Sequence, residues 1–471
     1  MDDVAAVAVD LGSSSGRVVL GAVHDGVLRV DEVHRFPHHA LEHDGSLSWD
    51  LDGLEGQIEL GLRRAVAASP VPVRSVAVDT WGVDYALLDH DGRRVGPGHT
   101  YRDPRTGPVA EAFYARMSPA ARWAATGIQP ADINTANQLA AELAADPSLP
   151  DRIGSVLLLP DWFAHRLGGA PGWGRSIAST TGLCRPGATG WAQEILRIDG
   201  VPERWFGPVE PDGAVRGSWF GDARVQVVSA GHDTACAVHA LPVDDEAPAA
   251  FIASGSWSVV GLETPEPVVT PAALAAGLTN EARLDGGNRL LANLTGLWIL
   301  QECQRQWRSE GRPSDVASLL DAAEEATSAG VILDPADPEF VVPGAMATRV
   351  ANHVERRYGT RPTDPAQVVR LLMESLAATY ASTLTSLEEV AGIRVGSVHL
   401  VGGGSRNAFL CRLTAAATGR PVVAGPAEAS SIGNVLVQLE ATGALGSRAD
   451  RADLVRRSFS PVRHDPGARH S

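Results

Sequence analysis

Three short stretches in the first half of the chain put carboxylates, hydroxyls and glycines at the ends of strand-like runs. In Asp10-Leu11-Gly12-Ser13-Ser14-Ser15-Gly16-Arg17, a carboxylate closes an apolar run. Gly12 and Gly16 permit tight backbone geometry and close approach of a ligand. Ser13, Ser14 and Ser15 offer hydroxyls and N–H groups, and Arg17 offers charge-assisted hydrogen bonds to phosphate. Such a turn can hold a polyphosphate without a lysine, with Asp10 turned to a metal ion or the reacting oxygen; the alternative is an ordinary hairpin. In Asp79-Thr80-Trp81-Gly82-Val83-Asp84, Trp81 offers a flat apolar face that suits the C–H side of a sugar. Gly82 lets a ligand approach the backbone, unless the stretch is only a turn with a buried tryptophan. In Gly231-His232-Asp233-Thr234, Asp233 is placed to be a general base for a hydroxyl nucleophile. A carboxylate is a weak base at neutral pH. That suffices when proton transfer comes late in a loose phosphoryl-transfer transition state. His232 would orient the substrate.

A second set lies further on. Ser254-Gly255-Ser256 reads as another phosphate hairpin, and Asn293 and Gln301 flank a helical patch, Asn293-Leu294-Thr295-Gly296-Leu297-Trp298. Gly402-Gly403-Gly404 opens onto a helix N-terminus, where bare N–H groups and partial positive charge accept a nucleotide, or it is a tight connection. Other features carry less. His34, His38, His39 and His43 have irregular spacing in a loop and do not read as a metal site. Asp161-Trp162-Phe163 reads as packing. In Tyr101-Arg102-Asp103-Pro104-Arg105, Arg102 or Asp103 either borders the sugar pocket or belongs to an internal ion pair. Cys184, Cys236, Cys303 and Cys411 are far apart and fit reduced thiols better than a disulfide framework or a zinc site.

The elements that must position these residues follow from periodicity. Residues 4–10, VAAVAVD, are a buried strand; Val18 to Val23 and Val27 to Phe36 complete an antiparallel meander. Leu51 to Ala68 has helical spacing, with Leu54, Ile58, Leu62 and Val66 on one face. Val73 to Val78 is a buried strand that ends at Asp79. The second half begins alike: Ala249 to Ala253, a small-residue turn, then Trp257 to Leu262. Asp364-Pro365 is the cap and first residue of a helix. Val395 to Val401 is a strand, the glycines a turn, and Ser405 or Asn407 the next cap. The two halves thus share a weak structural repeat, which predicts two similar α/β domains with a cleft between them. The expected division is 1–243 and 244–459, with the boundary in Pro242-Val243-Asp244-Asp245-Glu246, and 460–471 a flexible tail.

Composition agrees with a globular protein that has a sizeable core. The chain has 471 residues, 44% hydrophobic and 20% charged, with a net charge of −16. Such acidity disfavours nucleic acid and anionic membranes. All 40 basic residues are arginine. The absence of lysine excludes a P-loop, whose lysine contacts phosphate, and Schiff-base chemistry. The acidic start Met1-Asp2-Asp3 lacks the basic region of a secretory signal, and no apolar run approaches the roughly 18–20 residues of a membrane span. A cytoplasmic protein is expected, with a small-molecule sugar as partner and a monomer or homodimer as the assembly.

The order of these elements resembles the FGGY carbohydrate kinases, of the actin/hexokinase/Hsp70 superfamily. The resemblance runs from Val4 to about Ala441. Asp79 to Asp84 and the Gly296-Leu297-Trp298 patch carry it most specifically. His34-Arg35-Phe36, Tyr101-Arg102-Asp103 and Ser254 to Ser258 extend it. It implies two actin-like (ribonuclease H-like) domains with an interdomain active-site cleft. It implies Asp233 as catalytic base, and Trp81, Gly82, His232, Asp233 and Thr234 as sugar contacts. Ser13, Ser14, Ser15, Gly16, Arg17, Ser256, Asn293, Gln301 and Gly402 would contact ATP, with Asp10 near Mg²⁺. Within the family the stretches are most similar to kinases that phosphorylate L-rhamnulose at O1 in L-rhamnose breakdown. Another ketose, such as L-fuculose or L-xylulose, is the alternative substrate. An actin- or Hsp70-like ATPase would leave the Asp79 and Gly231 turns without a task, and the intact Asp10 and Asp233 argue against an inactive sugar sensor.

Overall fold

The apolar run at the start of the chain becomes the centre of a sheet. In the computed structural model, which describes residues 3–243 and 248–467, β1 (Val4–Leu11) is buried along its whole length. A strand flanked on both edges and covered on both faces needs no polar alternation. β2 (Ser15–His24) and β3 (Val27–Pro37) complete the expected antiparallel meander. β4 (Val73–Thr80) and β6 (Asp222–His232) are parallel additions on the other side of β1, and β5 (Val215–Trp219) closes that edge antiparallel to β6. The order is β5-β6-β4-β1-β2-β3. The helix Leu51–Ala68 starts at the Asp50 cap and buries Leu51, Leu54, Ile58, Leu62 and Ala65, with Val66 half-buried beside them.

A second sheet is built on the same plan. β7 (Ala249–Ser254) and β8 (Trp257–Thr264) form an antiparallel hairpin, β9 (Asn288–Thr295) flanks β8, β10 (Ser397–Val401) and β11 (Val422–Ala424) add in parallel, and β12 (Val462–His464) closes antiparallel. The sheet has seven strands: Thr279–Ala282 forms the edge beside β9, and the other six, β9-β8-β7-β10-β11-β12, repeat the order of the first sheet. The repeat suggested by the sequence is therefore a repeat of topology.

The chain folds as two compact units, Met1–Asp244 with Thr264–Leu290 and Ala429–Ser458, and Asp245–Glu263 with Leu291–Glu428 and Phe459–Ser471. These are not the two contiguous spans expected. Two later segments return to the first unit because their small and amide residues fit it. On the helix Ala429–Ala441, a β-carbon at Gly433 would lie 1.8 Å from the Cys236 carbonyl oxygen, so only glycine allows that approach. Gln438 of the same helix donates to the Val7 carbonyl in β1 at 3.1 Å. The polar boundary stretch Asp244 to Glu246 lies outside the described residues. The expected flexible tail is corrected in part: 462–464 is a sheet strand, while residues 468–471 lie outside the described residues.

Two further readings change. Asn293 and Thr295 end strand β9, and the helix starts only at Trp298, so the expected helical patch is a strand, a turn and a helix start. Among the alternatives for the cap after the glycines, Asn407 is the one, accepting from Leu410 N–H. All four cysteines are free and buried, as the spacing implied. No helix among the described residues is long and apolar enough to cross a membrane.

Candidate active site

Three of the predicted stretches leave the C-terminal ends of adjacent parallel strands, the end where open α/β sheets carry their ligands. In the ladder, Asp10 of β1 lies beside Asp79 of β4, Asp79 beside Gly231 of β6, and Thr80 beside His232. The sheet thus brings together side chains up to 223 positions apart (10 to 233) with no help from local sequence.

On the first hairpin, Asp10 and Arg17 face each other across the ladder and pair. Arg17 Nε and Nη2 donate to Asp10 Oδ2 at 3.0 and 2.7 Å. Ser431, from the returning helix, donates to the same oxygen at 2.8 Å. The two groups expected to meet a metal and a phosphate therefore steady one another. Ser14 is exposed, and Ser13 and Ser15 are half-buried at the tip. Gly16 is required by packing: a β-carbon there would lie 2.3 Å from the Phe36 ring and 2.8 Å from Leu11. Gly12 closes the hairpin, its N–H donating to the Ser15 carbonyl at 3.1 Å, and a β-carbon there would meet that oxygen at an ordinary 3.5 Å.

The Trp81 turn is tightly held. The Trp49 and Trp81 indoles both donate to Asp84 Oδ2, at 2.7 and 2.8 Å, and Gln138 donates to Oδ1 at 3.1 Å. The two rings lie 4.6 Å apart, and His38 stacks on Trp81 with 5.6 Å between centroids. Trp81 is only 7% exposed, so most of the face expected to meet a sugar is covered by these neighbours. His38 also reaches the first hairpin, its Nε2 lying 2.7 Å from the Gly12 carbonyl oxygen. Burial drives the Asp84 carboxyl up to about 6, against the indole and amide donors that pull it down. Val83 sits at φ 68°, a left-handed conformation rare for a β-branched residue. Thr180 Oγ1 accepts from its N–H, and Thr135 donates to its carbonyl, so the surroundings hold the conformation in place. A side chain at Gly82 would press on Thr180 at 3.0 Å.

The third turn aims the base. Gly231 follows a bulge in the β6–β4 ladder and has φ 78°. A β-carbon there would lie 2.1 Å from Ser176 Oγ and 2.6 Å from Asp212 Oδ1. Asp212 accepts from Ser176 N–H and hydroxyl at 2.9 and 3.0 Å, and Ser176 Oγ accepts from the His232 amide at 3.1 Å. Asp233 Oδ1 receives the Thr234 amide and the Thr234 hydroxyl at 3.1 Å, and His232 Nδ1 lies 2.8 Å from it and 3.4 Å from the Thr80 carbonyl oxygen. The other nitrogen of His232, Nε2, lies 3.4 Å from Glu281 Oε2, and Arg289 binds that carboxylate at 3.0 Å. Two carboxylates raise His232 to about 9 even though burial opposes its charge.

In the second unit, the predicted nucleotide residues gather around the β7–β8 hairpin. Ser256 donates to Gln301 at 2.8 Å, and Gly296 and Trp298 N–H groups donate to the Ser256 carbonyl at 3.0 and 3.2 Å. Gly402 has φ 79°, and a β-carbon there would lie 2.9 Å from the Ser254 carbonyl oxygen. Asn293 is exposed at the end of β9.

Other candidates resolve into structure. Asp161 is a buried partner of Arg216 at 2.6 Å, and Asp103 caps a turn and neighbours Arg105 at 3.5 Å, the internal ion pair. Sequence reasoning missed Glu281, Arg289, Asp212, Ser431 and Asn434. Asn434 binds the buried Asp79 carboxylate. The available signal was polar residues inside otherwise apolar segments, such as Ser431 and Asn434 one turn apart.

Residues 5–239 match the N-terminal domain of the FGGY family of carbohydrate kinases, and residues 250–442 its C-terminal domain. The chain is 36% identical over 469 residues to the rhamnulokinase of Enterobacter sp. (strain 638), covering 98% of this chain and 95% of that one. It is 38% identical over 469 residues to the rhamnulokinase of Pectobacterium carotovorum subsp. carotovorum (strain PC1), covering 98% and 93%. A gluconate kinase from Lactobacillus acidophilus shares the fold with a TM-score of 0.80 at 12% identity, over 99% of this chain and 94% of that one. Plasmodium falciparum glycerol kinase with ADP does so at 0.79 and 15%, over 99% and 94%. With both family domains matched in order, the strand-end carboxylates fall within a known enzyme architecture, and the chain belongs to the FGGY family of carbohydrate kinases, ATP-dependent sugar kinases.

Proposed function

We propose that the chain transfers the γ-phosphoryl group of ATP to O1 of L-rhamnulose. The observation that carries the reaction is Asp233, presented beside the Asp79–Asp84 turn by adjacent parallel strands. The substrate is supported by the rhamnulokinases to which the chain is 36 and 38% identical. In this reading Asp233 takes the O1 proton as the phosphoryl group moves, and His232, Thr234, Trp81 and Gly82 bind and orient the ketose. Ser13, Ser14, Ser15, Gly16 and Arg17 hold phosphate oxygens, and Ser256, Asn293, Gln301 and Gly402 bind the nucleotide.

The donor set suits Mg²⁺, which prefers hard oxygen ligands. Asp10 supplies a carboxylate whose Oδ2 is fixed by Arg17 and Ser431, and beside it the buried Asp79 Oδ2 has no hydrogen-bond partner. Asp10 would hold the ion, which when bound neutralises charge on the transferring phosphoryl group. The Asp10–Arg17 pair keeps the hairpin in one geometry throughout.

A panel of ketoses and polyols in an ADP-release assay tests the substrate. L-Rhamnulose is expected to give the highest kcat/KM, by about 10-fold or more over L-fuculose and L-xylulose, the scale a few pocket contacts supply. A higher kcat/KM for either of those sugars would overturn the assignment.

A further inference from the structure

The strand Thr279–Ala282 delivers a carboxylate to the far side of His232. His232, Glu281 and Arg289 are 9, 7 and 0% exposed, so their charges must be balanced locally. They form an alternating row: Asp233, His232, Glu281, Arg289, with contacts of 2.8, 3.4 and 3.0 Å. Both ring nitrogens of His232 face carboxylate oxygens. A neutral imidazole has one donor and one acceptor, so it would set a lone pair against one carboxylate; only the imidazolium donates to both. On Asp233, the three donors converge on Oδ1, and among the described residues no protein donor binds Oδ2.

We propose that Glu281 is a positioning residue that holds His232 as an imidazolium, so that His232 fixes Oδ1 of Asp233 and leaves Oδ2 for the sugar hydroxyl. Arg289 offsets the charge of Glu281 and keeps the row balanced. The role rests on the reading of Asp233 as the base, and it extends that reading to a residue 48 positions away (233 to 281). The other charged or titratable groups near His232 act from further off. Asp79 on β4 feels the charges of both Asp10 on β1 and Asp233. Asp212 is joined to His232 through Ser176, and Cys236 is one turn along the helix that Asp233 opens. Among the described residues, only Asp233 and Glu281 contact the ring with opposite charge. Its raised value, about 9, agrees with the geometry.

The test is the titration of His232 by NMR of imidazole-labelled protein, assigned by its loss in His232→Gln, alongside the pH profile of kcat. In the unmodified chain the ring is expected to titrate near 9, with kcat falling above that pH. In Glu281→Gln both midpoints should move down by at least one unit, while Glu281→Asp, which keeps the charge, restores most of the shift. A ring that titrates at or below 7 in the unmodified chain overturns the proposal, and this result needs no variant to fold. An unmoved midpoint in folded Glu281→Gln also overturns it. Asp233→Asn separates the two readings: full turnover there removes the base assignment, whereas loss of turnover there together with an unmoved His232 midpoint in Glu281→Gln removes only the role of Glu281.

Discussion

A carboxylate base works through one free oxygen, and at Asp233 three donors hold Oδ1 while Oδ2 is left to the substrate. Asp233→Asn keeps the shape and accepts the same hydrogen bonds through its amide oxygen, but cannot take a proton. The expected result is a kcat lowered by about 10²–10⁴ with a KM for the sugar changed far less. A variant turning over within a few-fold of the unmodified chain in steady-state assays would remove the assignment. At this scale, legibility followed sequence distance. Gly231 to Thr234 could be read because base, orienting residue and turn are contiguous. Glu281 and Ser431 could not, because the groups they serve lie 49 and 421 positions away (281 to 232, 431 to 10), and nothing near either residue marks it. Trp81 was legible as a residue of interest, but its cover of Trp49 and His38 was not, since both come from other parts of the chain.

Between elements, the site depends on how three strand ends turn. Gly231 combines a positive φ with two side chains that fill the space a β-carbon would take. Gly231→Ala therefore has to move either Ser176 and Asp212 or the turn itself. The strain is of order 1–3 kcal/mol, enough to lower Tm by a few degrees. Because His232 and Asp233 follow directly, kcat is expected to fall by more than 10-fold, checked by calorimetry and turnover on the same sample. Unchanged kcat in a destabilised variant would mean the turn does not aim the base. The elements themselves were largely legible. The Leu51–Ala68 helix shows its face at helical spacing, and Val4 to Val9 of β1 form an uninterrupted apolar run that ends at Asp10. Asn293 was misplaced on a helix because a polar residue at a strand end, followed by Gly296 and an amphipathic helix, gives no period to decide by.

Across the molecule, one topology occurs twice, and each unit keeps its own set of predicted residues. The sequence showed the repeat through its two glycine–serine hairpins. It did not show that 264–290 and 429–458 belong to the first unit, because that depends on which surface a segment fits and not on where it falls in the chain. Stability should carry the mark of the buried ionisable groups. Asp84 and Asp212 are raised by burial to about 6 and about 7. Each contributes stability that is full below the ordinary carboxylate value of about 3.9 and is lost as pH rises through its folded value. His232, raised to about 9, contributes stability that is full below about 6.5 and is lost as pH rises through 9. All three losses run the same way, Asp84 and Asp212 between about pH 4 and 7 and His232 between about 6.5 and 9, so Tm is expected to decline from about pH 4 to about pH 9 in a scanning series; a Tm that rises over that interval would contradict these assignments. The central claim is that this chain moves a phosphoryl group from ATP to O1 of a ketose, and product analysis tests it most directly. Incubation with Mg-ATP and L-rhamnulose, followed by phosphorus–proton correlation NMR, should show sugar-dependent ADP and a phosphate coupled to the C1 protons, whereas ADP formed equally without sugar, or phosphate on another carbon, would contradict it.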